Sequence, residues 1–541
     1  MKAKREILVG SLTEIPPGLG ASDTSEGSMP QILPEAVWSR LTNEARVVAP
    51  EAFSEDEQPL NLAEGAWGHP GRRKPFLSPV DGTLLGSYPM LDLEAARKAV
   101  HYSAEEAGAW AALPQSERCR RVSNCLDELA KVRQLLAYLL VWEIGKPVRL
   151  SGVDVDRCLD GVRWYVGQIE AMMDGRRPLG VVSNIASWNY PFSVMMHAVL
   201  VQCLAGNAVI SKTPSDGGLY ALTVGHAIAR RCGLPVSLVS GSGGQLSDAL
   251  VRNESLDCLA FVGGKTNGRD IAASLYDREK RYMLEMEGVN AYGIWNFSDW
   301  DGLAKQMKKG FEYGKQRCTA YVRYVVQRSL FPRFLETYLP VMSSLQFGNP
   351  LLVAGPGDGA PELDFGPVIN PKKVEELNVL VSEAIGLGAV PIYQGEFDPA
   401  RFLPEQDNSS YFAPVALLGP PRNCRLYHHE PFGPVDTIVI VDRLEELIAE
   451  MNVSNGALVA SLATDDPATA KFVLNDLRAF KVGLNQVRSR GDREEVFGGI
   501  GQSWKGCFVG GKYLVQAVTQ GPTGERLDGN FPDYTILPEP R

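Results

Sequence analysis

Five short apolar runs decide the fold of this chain: Leu179-Gly-Val-Val-Ser183, Ala208-Val-Ile-Ser211, Val236-Ser-Leu-Val239, Cys258-Leu-Ala-Phe-Val262 and Tyr282-Met-Leu-Glu-Met286. Each run has the length of a buried strand, and segments with helical spacing of apolar residues lie between the runs. Parallel strands need such helices to carry the chain back across the sheet. The alternation therefore predicts a doubly wound parallel sheet, which binds dinucleotides at the carboxyl ends of its strands.

The flanking segments predict a helical layer before this sheet and a second doubly wound α/β domain after it. Apolar residues recur at helical spacing between Asp92 and Met173, and strand and helix patterns alternate again after Trp300. Residues 1–75 are rich in Pro, Gly, Ser and acidic residues, which predicts an irregular extension with one or two short helices. We therefore expect an α/β protein in four parts: the extension at 1–75, the helical layer and dinucleotide-binding domain at 76–284, a catalytic domain at 285–499, and a C-terminal segment at 500–541 that returns to the cofactor-binding and oligomerisation region.

Composition argues against several classes of protein. The formal net charge of -10 leaves no basic surface for nucleic acid. The most apolar stretch, residues 195–210, is interrupted by His197, Gln202 and Asn207, so we expect no membrane span. Nine cysteines without a C-x-x-C pair predict a reducing, cytoplasmic location. The adjacent His428 and His429 lack the spacing of metal ligands, so we expect no metal site.

Cys318 is a candidate nucleophile. It lies between a predicted helix and a predicted strand, and it is flanked by Lys315 and Arg317, whose positive charges would favour the thiolate. A buried structural cysteine is the alternative, since most free cysteines are of that kind.

Two polar side chains at predicted strand ends are further candidates. Glu285 and Glu287 close the fifth run and would share one face of the strand, where a carboxylate suits a general base. Asn189 follows the first run, and its amide could donate to an oxyanion. The alternative for Asn189 is a helix cap, because Pro191 marks the first turn of a helix.

Together these segments resemble the aldehyde dehydrogenase superfamily over roughly residues 80–520. The motifs that carry the resemblance are Ser187-Trp-Asn-Tyr-Pro-Phe192, Ser211-Lys-Thr-Pro-Ser215, Phe261-Val-Gly-Gly-Lys-Thr-Asn-Gly268, Glu285-Met-Glu-Gly-Val-Asn290, Gln316-Arg-Cys-Thr-Ala320, Glu430-Pro-Phe-Gly-Pro-Val435 and Phe497-Gly-Gly-Ile-Gly-Gln-Ser503.

The resemblance implies an NAD- or NADP-dependent oxidation of an aldehyde to a carboxylic acid. Cys318 would attack the aldehyde, Asn189 and the Cys318 amide would hold the oxyanion, and Glu285 would activate the water that hydrolyses the thioester. In the cofactor site that the resemblance implies, Lys212 and Glu430 would hold the ribose hydroxyls and Phe432 would pack near the nicotinamide. The residues expected to contact the cofactor are Trp188, Lys212, Ser215, Gly263, Gly264, Gly268, Glu430 and Phe432.

Glycines 263, 264 and 268 are interpreted as letting a helix start approach the pyrophosphate. Gly264-Lys265-Thr266 looks like the end of a P-loop, but that motif needs glycine where Leu259 stands, so ATP binding is rejected.

The chain departs from the family pattern at several positions. Glu287 and Val289 replace a glycine and a lysine of the base motif, Lys315 replaces a glycine before the nucleophile, and Trp504 replaces a glycine after Ser503. Ser215 stands where NAD-preferring members carry glutamate. A carboxylate there would repel a 2′-phosphate, so we expect NADP to be accepted at least as well as NAD.

Oligomeric state and substrate are inferred from weaker signals. The segment between Tyr165 and Pro178, where the family places an oligomerisation hairpin, is short, so we expect a homodimer whose contact is altered. Arg317 and His197 make the edge of the pocket polar, which favours a polar or acidic aldehyde.

Three other activities stay open on the residues alone. The first is an acylating dehydrogenase in which coenzyme A resolves the thioester, and the second is a nucleotide-binding family member with little catalysis. The third, a cysteine hydrolase, lacks a histidine in a motif that would pair with Cys318.

Overall fold

The computed structural model describes residues 30–532, apart from residues 69, 70, 277, 279, 356, 455 and 490. A nine-stranded sheet forms its first half. The strands, in spatial order, are Gly529–Asn530, Trp504–Cys507, Arg281–Met286, Cys258–Gly263, Val181–Ile185, Ala208–Lys212, Val236–Val239, Asn61–Ala63 and Ala66–Gly68. The five central strands are mutually parallel and are the five runs that the sequence predicts. The strand order reverses beside Val181–Ile185, which is where doubly wound sheets bind nucleotides.

A seven-stranded sheet forms the second half, as the second α/β pattern predicts. Its strands, in spatial order, are Val390–Gln394, Val415–Leu418, Val435–Val441, Tyr321–Gln327, Asn290–Ile294, Ala457–Ala463 and Ala479–Leu484. All neighbours run parallel except the first pair. Three small sheets pair Gln31–Ile32 with Leu352–Val353, Arg72–Leu77 with Leu84–Met90, and Arg177–Pro178 with Thr519–Gln520.

Sixteen α-helices lie in the described part of the chain. They are Trp38–Val48, Leu93–Ala111, Gln115–Lys131, Arg133–Ile144, Val148–Met172, His197–Leu204, Leu219–Arg231, Gly243–Leu250, Lys265–Ser274, Trp300–Gly310, Phe331–Ser343, Pro371–Gly386, Arg425–His428, Leu444–Met451, Pro467–Asp476 and Lys512–Ala517. The predicted helical layer comprises the second to fifth of these. Asp92 caps the first helix of this layer, Leu93–Ala111, by accepting a hydrogen bond from the Ala95 amide at 2.8 Å. The predicted α/β class is confirmed.

The N-terminal extension contains the expected short helix, Trp38–Val48, but where the structure describes it the extension also forms strands that were not expected. Asn61–Ala63 and Ala66–Gly68 form a hairpin that extends the nine-stranded sheet, with Leu62 opposite Leu238. The two turn residues, Glu64 and Gly65, both have positive φ, as a two-residue hairpin turn requires. The strands are three residues long, too short for an alternating pattern to show in the sequence. Residues 1–29 of the extension lie outside the described residues.

A search of the described helices finds none that is both long enough and apolar enough to cross a bilayer. The same residues bring together no group of three or more histidine, cysteine or carboxylate side chains able to hold a metal ion.

Candidate active site

A cavity of about 310 Å³ opens where the two large sheets face each other, at the carboxyl ends of the central strands. Its lining brings together eight of the predicted site residues: Trp188, Asn189, Gly263, Gly264, Glu285, Cys318, Glu430 and Phe432. The first five come from the nine-stranded sheet and the last three from the seven-stranded half. The carboxyl-end position matches the rule for ligand sites in open α/β sheets.

Cys318 lies in a loop between a short 3₁₀ turn, Glu312–Lys315, and the strand Tyr321–Gln327. It is partly accessible, unlike the five cysteines at positions 125, 158, 203, 258 and 507, which lie in the core. The Asn290 side-chain amide donates to the carbonyl oxygens of Cys318 and Ala320, at 2.8 and 3.0 Å. These two bonds hold the Cys318 loop beside the start of the strand Tyr321–Gln327.

The two cations that flank Cys318 in sequence have different surroundings from those expected. The Lys315 ammonium lies 2.6 Å from the buried Asp436 carboxylate, so its charge is paired. Arg317 donates to the carbonyls of Lys309 and Gly310, at the end of the helix Trp300–Gly310. That Lys315 favours the Cys318 thiolate stays a prediction. Its backbone, at φ +57°, turns its side chain toward the seven-stranded sheet.

Asn189 is buried, and its side-chain amide donates a hydrogen bond to the Gln316 carbonyl. Its own carbonyl accepts a bond of 2.7 Å from the Lys146 ammonium, which also binds Asp154 at 3.0 Å. The helical turn that follows starts at Pro191 and has no side-chain cap, so the helix-cap alternative for Asn189 is wrong.

Glu285 is the last residue but one of the strand Arg281–Met286 and is only 4% exposed. It pairs in register with Val262 on one side and with Trp504 on the other. Glu287, expected on the same strand face, lies beyond the end of the strand, but both carboxylates line the cavity. The described residues therefore place one carboxylate in a rigid ladder and one in a loop.

Glu430 presents a buried carboxylate whose two oxygens lack a well-formed hydrogen bond. Burial raises the pKa of Glu430 well above its usual value, and the carboxylates of Glu287 and Glu285 add to the rise. The Gly288 amide and the Lys373 ammonium act in the opposite direction. Buried acceptors of this kind need donors from a ligand or water.

Aromatic rings lie next to this carboxylate. Phe432 has a positive φ of 48° and meets the ring of Trp188 edge to face, with centroids 5.8 Å apart. Such a pair is favourable beyond the area that it buries. The two rings form an apolar wall of the cavity that Glu430 also lines.

Lys212 and Ser215 lie outside the cavity lining. Lys212 is the last residue of its strand, and burial lowers its pKa to about 8, with the nearby Lys74 ammonium adding to the shift. Ser215 is exposed, and its carbonyl accepts a bond of 3.0 Å from Lys74. The Lys74 ammonium also lies 3.9 Å from the Asp216 carboxylate.

The three predicted glycines have different surroundings. Gly264 caps the helix Lys265–Ser274, and a Cβ there would meet open space. Gly268 does not line the cavity, and a Cβ there would come within 2.5 Å of the Met286 side chain. Gly268 therefore allows the helix to pack on the strand that carries Glu285, and its role at the pyrophosphate stays a prediction.

Sequence reasoning missed a group of cavity residues around the helix Pro371–Gly386, namely Ile369, Asn370, Lys372, Lys373 and Glu376. Asn370 caps this helix by accepting a bond from the Lys373 amide at 2.9 Å. The Asn-Pro pair is a helix-start signal in the sequence. The positions of Lys372 and Lys373 beside the site follow only from the tertiary structure. His197, expected at the pocket edge, packs against Tyr165 with ring centroids 5.5 Å apart.

Comparison with known proteins places this geometry in context. A model of the aldehyde dehydrogenase family matches residues 67–522. The chain is 27% identical to the non-phosphorylating aspartate-semialdehyde dehydrogenase of Halomonas elongata, over 82% of this chain and 90% of that protein. It is 24% identical to the glutarate-semialdehyde dehydrogenase of Pseudomonas aeruginosa, over 84% of this chain and 94% of that protein.

A solved relative extends the comparison to three dimensions. The NADP-dependent glyceraldehyde-3-phosphate dehydrogenase of Bacillus halodurans, in complex with NADP, superimposes with a TM-score of 0.76 at 25% identity. The alignment covers 86% of this chain and 98% of that one.

Proposed function

The chain belongs to the aldehyde dehydrogenase family and is an NAD(P)-dependent aldehyde dehydrogenase, and from this premise we propose that it oxidises its substrate through a thioester on Cys318. The observation that carries the proposal is the convergence of Cys318, Asn189 and Glu285 on one cavity. Each comes from a different loop or strand end, as is usual for catalytic groups.

Cys318 is the nucleophile of this proposal. Its thiolate attacks the carbonyl carbon, a C–S bond forms, and negative charge moves to the former carbonyl oxygen. One N–H of the Asn189 amide is engaged by Gln316, which leaves the other N–H to hold this oxygen together with the Cys318 amide. When bound, the nicotinamide supplies the hydride acceptor.

Glu285 acts in the second half of the reaction. Its carboxylate takes a proton from a water molecule, and the resulting hydroxide attacks the thioester carbon. The C–S bond breaks, the thiolate returns to Cys318, the carboxylic acid leaves, and Glu285 releases its proton to solvent. Glu285 is buried and lies in a strand ladder, which supports this role because a base that is held in place need not be reoriented in each turnover.

The described residues fit a dinucleotide. The two buried oxygens of Glu430 would accept hydrogen bonds from ribose hydroxyls, and the wall of Trp188 and Phe432 would pack against a flat ring. The open space at Gly264 would admit a pyrophosphate at a helix start. Lys212, at the end of the neighbouring strand, would hold a ribose hydroxyl.

NADP is proposed to bind at least as well as NAD. Ser215 carries no charge, and the Lys74 ammonium lies against its carbonyl. A cation beside the adenosine ribose would attract a 2′-phosphate. The complex of the Bacillus halodurans relative with NADP supports the same preference.

The substrate is proposed to be an aldehyde with a distal acidic or polar group. Burial raises the pKa of Tyr190 to about 12; Arg317 and Arg157 act against this rise, and Asp154 and Cys318 add to it. Tyr190 lines the cavity beside Cys318. The names of the Halomonas and Pseudomonas relatives, both dehydrogenases of semialdehydes, support this class.

The experiment follows reduced nicotinamide at 340 nm with short, aromatic and acidic aldehydes, each with NAD and with NADP. Cys318→Ala should abolish turnover. Cys119→Ala, at another partly accessible cysteine, should leave turnover unchanged and is the matched control. Glu285→Gln should retain a first burst of product but lose steady turnover. Turnover that persists in Cys318→Ala would refute the thioester.

Added coenzyme A distinguishes an enzyme whose thioester is hydrolysed by water from one whose thioester is transferred to coenzyme A. Added coenzyme A should leave the rate unchanged if water resolves the thioester. A rate that depends on coenzyme A would instead establish an acylating enzyme, and cofactor binding without turnover of any aldehyde would establish a nucleotide-binding protein.

A homodimer is proposed as the working assembly. The segment between Tyr165 and Pro178, where the resemblance implies an oligomerisation hairpin, contains the two-residue strand Arg177–Pro178, which pairs with Thr519–Gln520 of the same chain. Light scattering on the eluting protein should give a mass near twice 59.0 kDa, and a single-chain mass would refute the dimer.

A further inference from the structure

A buried ion pair lies directly behind the nucleophile loop. Lys315 and Asp436 are both inaccessible to solvent, and the ammonium lies 2.6 Å from one carboxylate oxygen. The ammonium also donates to the Tyr321 carbonyl at 2.6 Å, and the Tyr338 hydroxyl donates to the second carboxylate oxygen at 2.7 Å. Burial of an ion pair is costly, so the pair is poor evidence for stability alone.

The backbone at Lys315 is itself unfavourable for a lysine. Tyr313, Gly314 and Lys315 have φ values of 61°, 59° and 57°, in the left-handed region that favours glycine. The aldehyde dehydrogenase pattern carries glycine at position 315. A lysine at a position suited to glycine is favoured by a compensating interaction, and the contact with the Asp436 carboxylate is the ion pair that its side chain makes.

Asp436 connects this loop to the segment that carries the ribose acceptor. It lies six residues after Glu430 and four after Phe432, with Pro431 and Pro434 restricting the chain between them. The backbone ladder between the two strands starts only at Arg323 and Thr437. The ion pair therefore connects the segments that precede these two strands, beyond the first pair of the ladder and toward the cavity.

We propose that Lys315 and Asp436 are positioning residues that set the separation between the Cys318 thiol and the cofactor-holding side chains Glu430 and Phe432. The idea rests on the proposed thioester mechanism. Transfer of hydride needs the substrate carbon on Cys318 to meet the cofactor at close range, whereas attack by the thiolate does not. Loss of the pair should therefore slow hydride transfer more than nucleophilic attack.

The variants remove the charges of the ion pair and keep the size of its side chains close to that of the wild type. Asp436→Asn keeps the shape of the side chain and removes its charge, and Lys315→Met keeps the length of the lysine chain. The double variant Lys315→Met/Asp436→Leu leaves no unpaired buried charge, so it should fold even if a single variant does not. Glu106→Gln breaks a partly buried pair with Arg230 between the helices Leu93–Ala111 and Leu219–Arg231 and is the matched control.

Two rates are compared for each variant. Hydrolysis of p-nitrophenyl acetate without cofactor reports attack by Cys318, and single-turnover formation of reduced nicotinamide reports hydride transfer. A 1-deuterated aldehyde gives the isotope effect on the second rate, and fluorescence quenching gives the Kd of the cofactor. Every variant is first checked for a cooperative thermal transition.

We expect ester hydrolysis and the cofactor Kd to stay within threefold of wild type, while hydride transfer falls tenfold or more and shows a larger isotope effect. Glu106→Gln should change neither rate. Equal losses in both rates, or wild-type hydride transfer in the double variant, would overturn the positioning role. Ester hydrolysis that survives in Cys318→Ala would instead refute the mechanism on which the proposal rests.

Discussion

The side-chain amide of Asn189 and the main-chain carbonyl of Gln316 are joined by a hydrogen bond of 2.9 Å. The bond ties a strand-end residue of one sheet to the loop that presents Cys318 from the other. Lys146 holds the Asn189 main chain from the opposite side at 2.7 Å. The proposed oxyanion donor is therefore oriented before substrate arrives, which is the condition for electrostatic stabilisation without reorganisation.

Asn189→Ala should lower kcat by about 10²- to 10³-fold with little change in KM, because the lost bond strengthens only as charge develops on the oxygen. Steady-state rates of reduced nicotinamide formation measure both constants. Asn189→Asp, which has nearly the same shape but lacks the donor, should behave in the same way. A KM increase at constant kcat would mean that the amide binds substrate and does not stabilise the oxyanion.

Gly268→Ala and Gly264→Ala form a pair with opposite expected effects. The added methyl at position 268 meets Met286, so unfolding free energy should fall by about 1–3 kcal/mol. The methyl at position 264 meets open space and should leave stability unchanged, but it should raise the Kd of the cofactor at the helix start. Denaturant unfolding and fluorescence titration measure the two quantities, and a reversed pattern would contradict both assignments.

Ser215→Glu should shift the cofactor preference toward NAD. A carboxylate at this position repels the 2′-phosphate, so the Kd of NADP should rise by at least about tenfold while that of NAD changes little. Ser215→Gln supplies the uncharged control of the same size. Equal weakening of both cofactors by glutamate would point to a steric effect and would contradict the charge argument.

His226 should make stability depend on pH on the acidic side. It is fully buried in the helix Leu219–Arg231, and burial lowers its pKa to about 4, whereas an unfolded histidine titrates near 6.5. The folded state excludes the proton that the unfolded state binds. The stabilisation is complete above about pH 6.5 and is lost as the pH falls toward about 4, by at most about 1.4 kcal/mol per pH unit.

Unfolding by urea between pH 4.5 and 7 tests this dependence. His226→Gln should flatten the profile, and His101→Gln, at an exposed position, should not. A profile that keeps its slope in His226→Gln would assign the dependence to other groups.

The parallel sheets were predictable because their strands are apolar on both faces and are separated by helical patterns. The motif residues were identified from the resemblance to the aldehyde dehydrogenase superfamily, and the meeting of the carboxyl ends of parallel strands at one edge explains why Trp188, Gly263 and Glu285 lie together. The strand inferences depend on local pattern, and the motif assignments depend on the resemblance. They needed no knowledge of side-chain direction.

Side-chain contacts could not be predicted from the sequence. Lys315 is three residues from Cys318 in sequence, but its ammonium is paired with the buried Asp436 carboxylate. Gly268 was assigned to the cofactor because of its motif, and the structure adds that a Cβ there would meet Met286. Asp436 and Lys373 carried no signal, since only the packing of distant segments brings them to the site.

The nine-stranded sheet joins strands at Asn61–Ala63 and Trp504–Cys507 to the same five central strands. The strand Trp504–Cys507, which pairs with Arg281–Met286, is therefore synthesised only after almost the whole described chain. Until then the edge that carries Glu285 is unpaired and available to other chains, so newly synthesised protein should depend on chaperones at this stage. Pulse-labelled, ribosome-bound chains that stop before Trp504 should accordingly be protease-sensitive and associated with holdases, whereas released full-length chains should not.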